Sequence, residues 1–352
     1  MKFSAFDGMR GLAAICVVTR HTELYWGGVR LFHSYLAVDL FFILSGFVLS
    51  HAYGQKLRRG TMSIWQFMLT RWIRLYPLYF LAALLGFGIA ATLPHQYFGK
   101  VDVSMAAMAA SLALTLLFLP SRVPRSEGLF PLNGPFWSLC FEVLLNAVYG
   151  LIHRWLTLRF LLLGVGLLGL GVGALAIYHG GLDLGYSWSG RSIAGGLLRA
   201  SFGTFLGVLL HRLYQRRSPR PSQGFNPWFS VAAAIAALML PQVTGFDLTI
   251  DLLTVFVVFP ACVYAGACAR SDPRPFGMLS LLGIASYPMY LLHMPLSIML
   301  SGLLVSPRMP PAPIAGIALL LLLLGTSLAV DRFYDRPTRF ILGSIKLRRQ
   351  AA

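Results

Sequence analysis

The chain has 352 residues, 57% hydrophobic and only 12% charged, with a mean hydropathy of +0.70. A soluble domain carries about twice that share of charge. The long apolar runs exclude a large soluble core, and their continuity excludes a transmembrane barrel of alternating strands. The net charge of +17 sits in short loops between apolar runs, as orientation in a membrane requires, so nucleic acid is not an expected partner.

The expected fold is all-α: a polytopic transmembrane helical bundle forming one domain over 1–352, with a short tail at 338–352. Eleven apolar segments fall near 6–26, 34–54, 71–93, 104–120, 134–153, 158–178, 192–214, 228–243, 251–269, 279–302 and 312–332. The first contains FDGMRGLAAICVVTRH, in which Arg10 and His21 are eleven residues apart. Eleven helical steps return to nearly the same face about 16 Å further along the axis. Ionisable groups inside a bilayer are costly and face a cavity or a partner. Singly, Arg10 reads as a positive-inside anchor and His21 as a core histidine; at this spacing together they favour a site. Asp7, Arg10 and His21 interrupt the stretch, and no small-residue cleavage site follows, so no cleavable signal is expected.

The second segment, AVDLFFILSGFVLSH, carries Asp39, either a structural ion-pair partner or an orienter of a catalytic group. Its Ser45-Gly46 pair allows close helix approach, and His51 reads as interfacial. RWIRLYP places Arg71 and Arg74 one turn apart on one face. They read as a topological anchor or as a phosphate clamp, since guanidinium forks match phosphate oxygens. GPFWSLCFEVLLNAVYG places Glu142 two turns into an apolar helix, where it must be neutral, paired or solvated. Asn146 lies one turn further, and Trp137 reads as an aromatic of the outer interface. ASYPMYLLHMPL carries Tyr290 and His293 between Pro288 and Pro295, which loosen the helical hydrogen bonding. Cys16, Cys140, Cys262 and Cys268 lack metal-ligand spacing and read as small buried hydrophobes. No metal is expected.

Loop charges set the direction. Lys56, Arg58, Arg59, the run Arg212, Arg216, Arg217, Arg220, the pairs Arg154/Arg159 and Arg270/Arg274, and the tail with Arg336, Arg339, Lys346, Arg348 and Arg349 all suit the cytoplasm. Loops 179–190 and 243–251 hold aspartates without lysine or arginine and read as outer. If all eleven segments crossed, the Arg212–Arg220 run would lie outside. One segment therefore fails to cross, and 104–120 is the candidate, short, alanine-rich and ended by Pro120, lying in the interface or re-entering from the outer side. Ten crossings follow, with both termini cytoplasmic and loop 121–135 outside despite Arg122 and Arg125. On this frame Arg10, Arg71 and Arg74 lie toward the inner side. Glu142 lies near mid-membrane, His293 at mid to outer depth, and Asp39 and His21 toward the outside.

FDGMRGLAAICVVTRH with its Arg-x10-His, DLFFILSGF, RWIR, WSLCFE, SYPMYLLH and FYDRP together resemble the acyltransferase-3 family of integral membrane O-acyltransferases. In FYDRP the family often has glutamate before Arg-Pro. The matching pieces span residues 6–337. The resemblance implies transfer of an acyl group, acetyl in the first instance, from acyl-CoA to a hydroxyl of a surface polysaccharide or other glycan, in the inner membrane of a bacterium. It implies His21 as general base, Arg10 on the donor path, Arg71 and Arg74 on the CoA phosphates, and Glu142 and His293 in motif positions of open role. Asp39 would orient or charge-balance a histidine. Histidine suits a base working near neutrality. Two alternatives stand beside this reading: an acyltransferase with a small-molecule or lipid acceptor, and a proton-coupled transporter using His21, Asp39 and Glu142 as a relay. Transporters often carry inverted repeats, and none is evident here.

Overall fold

The computed structural model describes residues 3–99, 101–122, 127–217, 226–269, 277–303 and 311–351. Arg125, Arg220, Arg270 and Arg274 lie outside the described residues, as do the side chains of Arg348 and Arg349. The helices are α1 (Ser4–His21), α2 (Ala37–Arg58), α3 (Ile64–Thr92), α4 (Pro94–Phe98), α5 (Met105–Leu116), α6 (Phe136–Ile152), α7 (Leu158–His179), α8 (Gly190–Arg217), α9 (Pro227–Leu238), α10 (Asp247–Leu253), α11 (Phe259–Cys268), α12 (Met278–Leu303), α13 (Ile314–Val330) and α14 (Arg336–Ala351). Among the described residues no strand forms, and a single bridge joins Gly128 to Ser187. Seven helical stretches are long and apolar enough to cross a bilayer; α5, α6 and α9 are shorter apolar helices. The protein is an integral membrane helical bundle.

Starts and joints follow local chemistry. Ser63 and Gln66 form a capping box at α3, and Ser104, Thr157 and Asn226 accept the first free N–H groups of α5, α7 and α9. Five-residue π-helical turns, Thr254–Val258 and Asp331–Asp335, join α10 to α11 and α13 to α14. Pro295 cannot donate to the carbonyl of Leu291 one turn back; the side-chain amide of Asn133 donates to that oxygen instead, at 2.8 Å.

Contacts between segment ends define two faces. On one, Arg20 meets Asp183, Asp251 meets His33, Tyr35 and the backbone of Leu182, and the backbones of Leu129 and Trp188 bond to Tyr186 and Glu127. This acidic face gathers the connections 22–36, 127–135, 180–189 and 239–247. The described part of loop 121–135, residues 121–122 and 127–135, is therefore on the same side as the aspartate-bearing loops. On the opposite, basic face His51 meets His211, and Lys346 bonds to Gln66 and Thr70.

The segment 104–120 forms a 12-residue helix, about 18 Å long against a hydrocarbon core of about 30 Å. It starts beside Ala90 and Leu132 and descends along α3 until the carbonyl of Thr115 accepts the Tyr79 hydroxyl at 2.7 Å. Phe118, at φ 58, turns the chain back and stacks on Tyr79. The return strand reaches the acidic face, where Trp188 donates to the Ser121 carbonyl. The segment thus leaves from and returns to the same face of the bundle.

The tightest helix pair is α2 on α8. A β-carbon on Gly46 would lie 1.9 Å from the Thr204 carbonyl oxygen, and one on Gly207 would lie 2.1 Å from that of Ile43. Small residues permit this approach, which is the packing role expected of Ser45-Gly46.

Candidate active site

A cavity of about 350 Å³ lies between α1, α2, α3, α6 and α12, with the π-turn 331–335 and the start of α14 at its rim. Along α2 it runs from Val48 to Val38, and along α12 from Ser280 to Tyr290. Ten residues of helix span about 15 Å, so the cavity reaches from the basic face to roughly mid-bundle. Its rim is cationic. Arg339 pairs with Asp335 at 2.7 Å and Asp331 at 3.3 Å, and Arg336 also pairs with Asp331. The π-turn brings these carboxylates onto one side, facing the arginines one and two turns on.

Further in, Arg71 and Arg74 line the same cavity, as their one-turn spacing predicts. Their surroundings differ. Arg71 is 5% exposed and its Nη2 donates to Glu142 Oε1 at 2.7 Å, while its buried Nε has no hydrogen-bond acceptor. Ser45 donates to the same Glu142 oxygen at 2.8 Å. Arg74 is exposed to the cavity and makes no ion pair among the described residues. Arg10 also lines the cavity and donates to the Leu44 carbonyl at 3.4 Å. Three guanidinium groups against Glu142 and Asp7 leave the interior with surplus positive charge in an apolar surround, where a mobile anion is strongly attracted.

The inner end is closed by aromatic rings. Tyr290 donates within hydrogen-bond reach of Ser138 Oγ, at 2.8 Å, and of the Pro135 carbonyl, at 3.2 Å. Phe41 packs edge-on against its ring at 5.6 Å. One turn beyond, toward the acidic face, lies His293, its ring 6.1 Å from that of Tyr290. His293 is fully buried and its Nε2 lies 2.9 Å from Nδ1 of His21, the two rings meeting edge to edge with their planes 11° apart. His21 ends α1 exposed at the acidic face. The structure thus brings together His21 with His293, and Arg10, Arg71 and Arg74 with Glu142, as two adjoining groups.

Asp39 takes one of its two expected roles, the structural ion pair, and departs from the other, that of orienting a histidine. It does not contact a histidine; it is fully buried and held by Arg199, with Nη2 to Oδ2 at 2.6 Å and Nε to Oδ1 at 3.1 Å. Arg199 also donates to the carbonyls of Leu184 and Tyr35 and lies over the Trp137 ring. Trp137 departs too: it is 7% exposed rather than interfacial, because Gly185 of the 180–189 loop presses on its ring, where a β-carbon would come within 2.4 Å. The cysteines are free, with Cys16 and Cys262 buried. Sequence reading placed Ser45 in a helix-packing pair and did not single out Asp331, Asp335 or Arg199 as site residues. FYDRP carried the only local signal for Asp335; the others acquire meaning through partners on distant helices.

The chain belongs to the acyltransferase-3 family: the family model described as "Acyltransferase domain" matches residues 3–331. It is also 42% identical over 162 residues to "Protein 2 in picA locus" of Rhizobium radiobacter, a match covering 44% of this chain and 82% of that protein. No solved structure matches. The protein is a membrane acyltransferase.

Proposed function

We propose that the protein moves an acyl group, acetyl in the first instance, from cytoplasmic acyl-CoA to a hydroxyl of a surface polysaccharide or other glycan, in a bacterial inner membrane with both termini cytoplasmic. The observation that carries this reading is the arginine-lined cavity, open at the basic face and ending one helical turn short of the His21–His293 pair. A volume of 350 Å³ is at the small end of ligand sites, so it suits the acyl-bearing arm of a donor whose phosphates stay at the rim. Arg74, Arg336 and Arg339 would meet those phosphates. Arg71, held by Glu142 and Ser45, would line the arm's path with Arg10.

In the transfer, the acceptor oxygen attacks the thioester carbonyl carbon, its proton passes to His21, and the carbon–sulfur bond breaks to release CoA as thiolate. General-base assistance of this kind contributes roughly 10²–10⁴ in rate. The transporter reading fares worse, because His21, Asp39 and Glu142 contact three different partner sets: His293, Arg199, and Arg71 with Ser45. They form no continuous relay.

The test is mass spectrometry of envelope glycans from cells with and without the gene, together with release of free thiol from acetyl-CoA by the purified protein. Loss of a glycan acyl group with the gene, restored by the wild type and not by His21→Ala, is expected. Acylation unchanged on every envelope glycan overturns the acceptor class. Undiminished transfer by His21→Ala overturns the base.

A further inference from the structure

His293 occupies a motif position without an assigned task, and its hydrogen bonds define one. Its Nδ1 lies 2.8 Å from the carbonyl oxygen of Tyr290 and 3.3 Å from that of Met289. A carbonyl oxygen only accepts, so Nδ1 of His293 carries a proton. In the neutral imidazole the other nitrogen, Nε2, then holds a lone pair and only accepts. That nitrogen faces Nδ1 of His21 at 2.9 Å, so the proton between the two rings belongs to His21. Nδ1 of His21 is thereby a donor, and its Nε2 holds the lone pair, exposed at the acidic face.

We infer that His293 is a positioning residue that fixes the tautomer of His21, presenting Nε2 of His21 as the basic nitrogen. The inference rests on the proposal that His21 is the base and adds which nitrogen acts and what fixes it. Three features hold the arrangement. His293 is fully buried, so water does not compete for Nε2. Its carbonyl acceptors are on its own helix, one turn back, so they move with it. The bond lies nearly in the plane of both rings, 11° apart, and rotation of His21 about χ2 would break it. As the acceptor proton reaches Nε2 of His21, the resulting imidazolium keeps its Nδ1–H bond to the neutral His293, so no rearrangement accompanies the step. The two rings come from α1 and α12 and lie 272 positions apart, and the tautomer depends on that packing.

The test combines ¹⁵N spectra of histidine-labelled protein with variants of both histidines. In the wild type both rings should show Nδ1–H and a bare Nε2, the minority form of free neutral imidazole; the signals are identified by their loss in His21→Gln and His293→Gln. His293→Leu removes the acceptor, and His293→Lys supplies only donors, which would turn His21 to the Nε2–H form. A wrong tautomer costs roughly 10⁴ in kcat in a comparable catalytic imidazole, so both variants should lose kcat by about 10²-fold or more with little change in donor KM. His293→Gln, whose amide can accept from His21 and donate to the Tyr290 carbonyl, should retain kcat within about tenfold of the wild type. An Nε2–H signal for His21 in the wild type overturns the inference, as does a His293→Lys protein with wild-type kcat. Should His293→Leu or His293→Lys fail to fold, the wild-type spectrum, assigned with the two Gln variants, decides. Retained activity in His21→Ala instead overturns the base assignment, whichever tautomer the spectrum shows.

Discussion

Arg74 and Glu142 face one cavity but differ in what their removal leaves behind. Arg74 makes no ion pair among the described residues, so Arg74→Ala strands no charge. Stability should stay within about 0.5 kcal/mol of the wild type, while donor KM rises several-fold with kcat little changed; steady-state kinetics against acyl-CoA checks this. Glu142→Ala removes the carboxylate to which both buried Arg71 and Ser45 donate. Breaking a buried pair in this way costs about 3–5 kcal/mol, and the cavity-facing exposure of Glu142, 24% at the side chain, brings the expectation to the lower end, read as a lowered midpoint of thermal unfolding in detergent. Asp39→Ala should cost at least as much, because both partners of its pair are under 3% exposed. Replacing Asp39 and Arg199 together by apolar residues should recover part of that loss. The identities of these residues were legible in the sequence as costly ions in apolar runs. Their pairing was not: Glu142 finds Arg71 across 71 positions and Asp39 finds Arg199 across 160, and helical spacing relates only residues on one helix.

The helices themselves were legible from their apolar length, their caps and their prolines, because those signals act within a turn or two. What the pattern did not contain was which side of each helix faces what. Trp137 shows the difference: its position along α6 matched an interface, but its azimuth turns it beneath Gly185 and Arg199. Close approach of α2 and α8 is the element-scale feature most open to test. Gly207→Val places side-chain atoms where the Ile43 carbonyl already sits, and overpacking costs about 1–3 kcal/mol or more when backbone has to move. Its melting midpoint should fall sharply. Gly173→Ala, on α7 with nothing within 4 Å of the added carbon, should melt at or slightly above the wild-type temperature, since alanine is the better helix former.

At the scale of the whole molecule, parity of loop charge and the contacts between loops reach the same arrangement from different evidence. Charge counting assigned 121–135 to the outside against its own arginines, and the backbone bonds from Leu129 to Tyr186 and from Trp188 to Glu127 tie it to the aspartate loop. Reporter insertions should therefore place positions near 128 and 185 together, opposite positions near 60 and 155, with α5 contributing no reversal. Opposite readings at 128 and 185 would break the topology. The cavity was not legible at all, since it is a space among five helices and a turn, and no single segment describes it.

The pairing of His21 with His293 also sets a schedule. At about 5–20 residues per second, the 272 positions between them separate the two rings by roughly 15–55 s of synthesis. During that interval α1 already sits in the insertion machinery or the lipid, carrying Asp7, Arg10 and His21 without the helix that will receive them. The cavity too lacks its α12 wall and its 331–339 rim until then. On the proposed reading, transfer would begin only once α12 packs beside α1, and an incompletely made chain would consume no acyl donor.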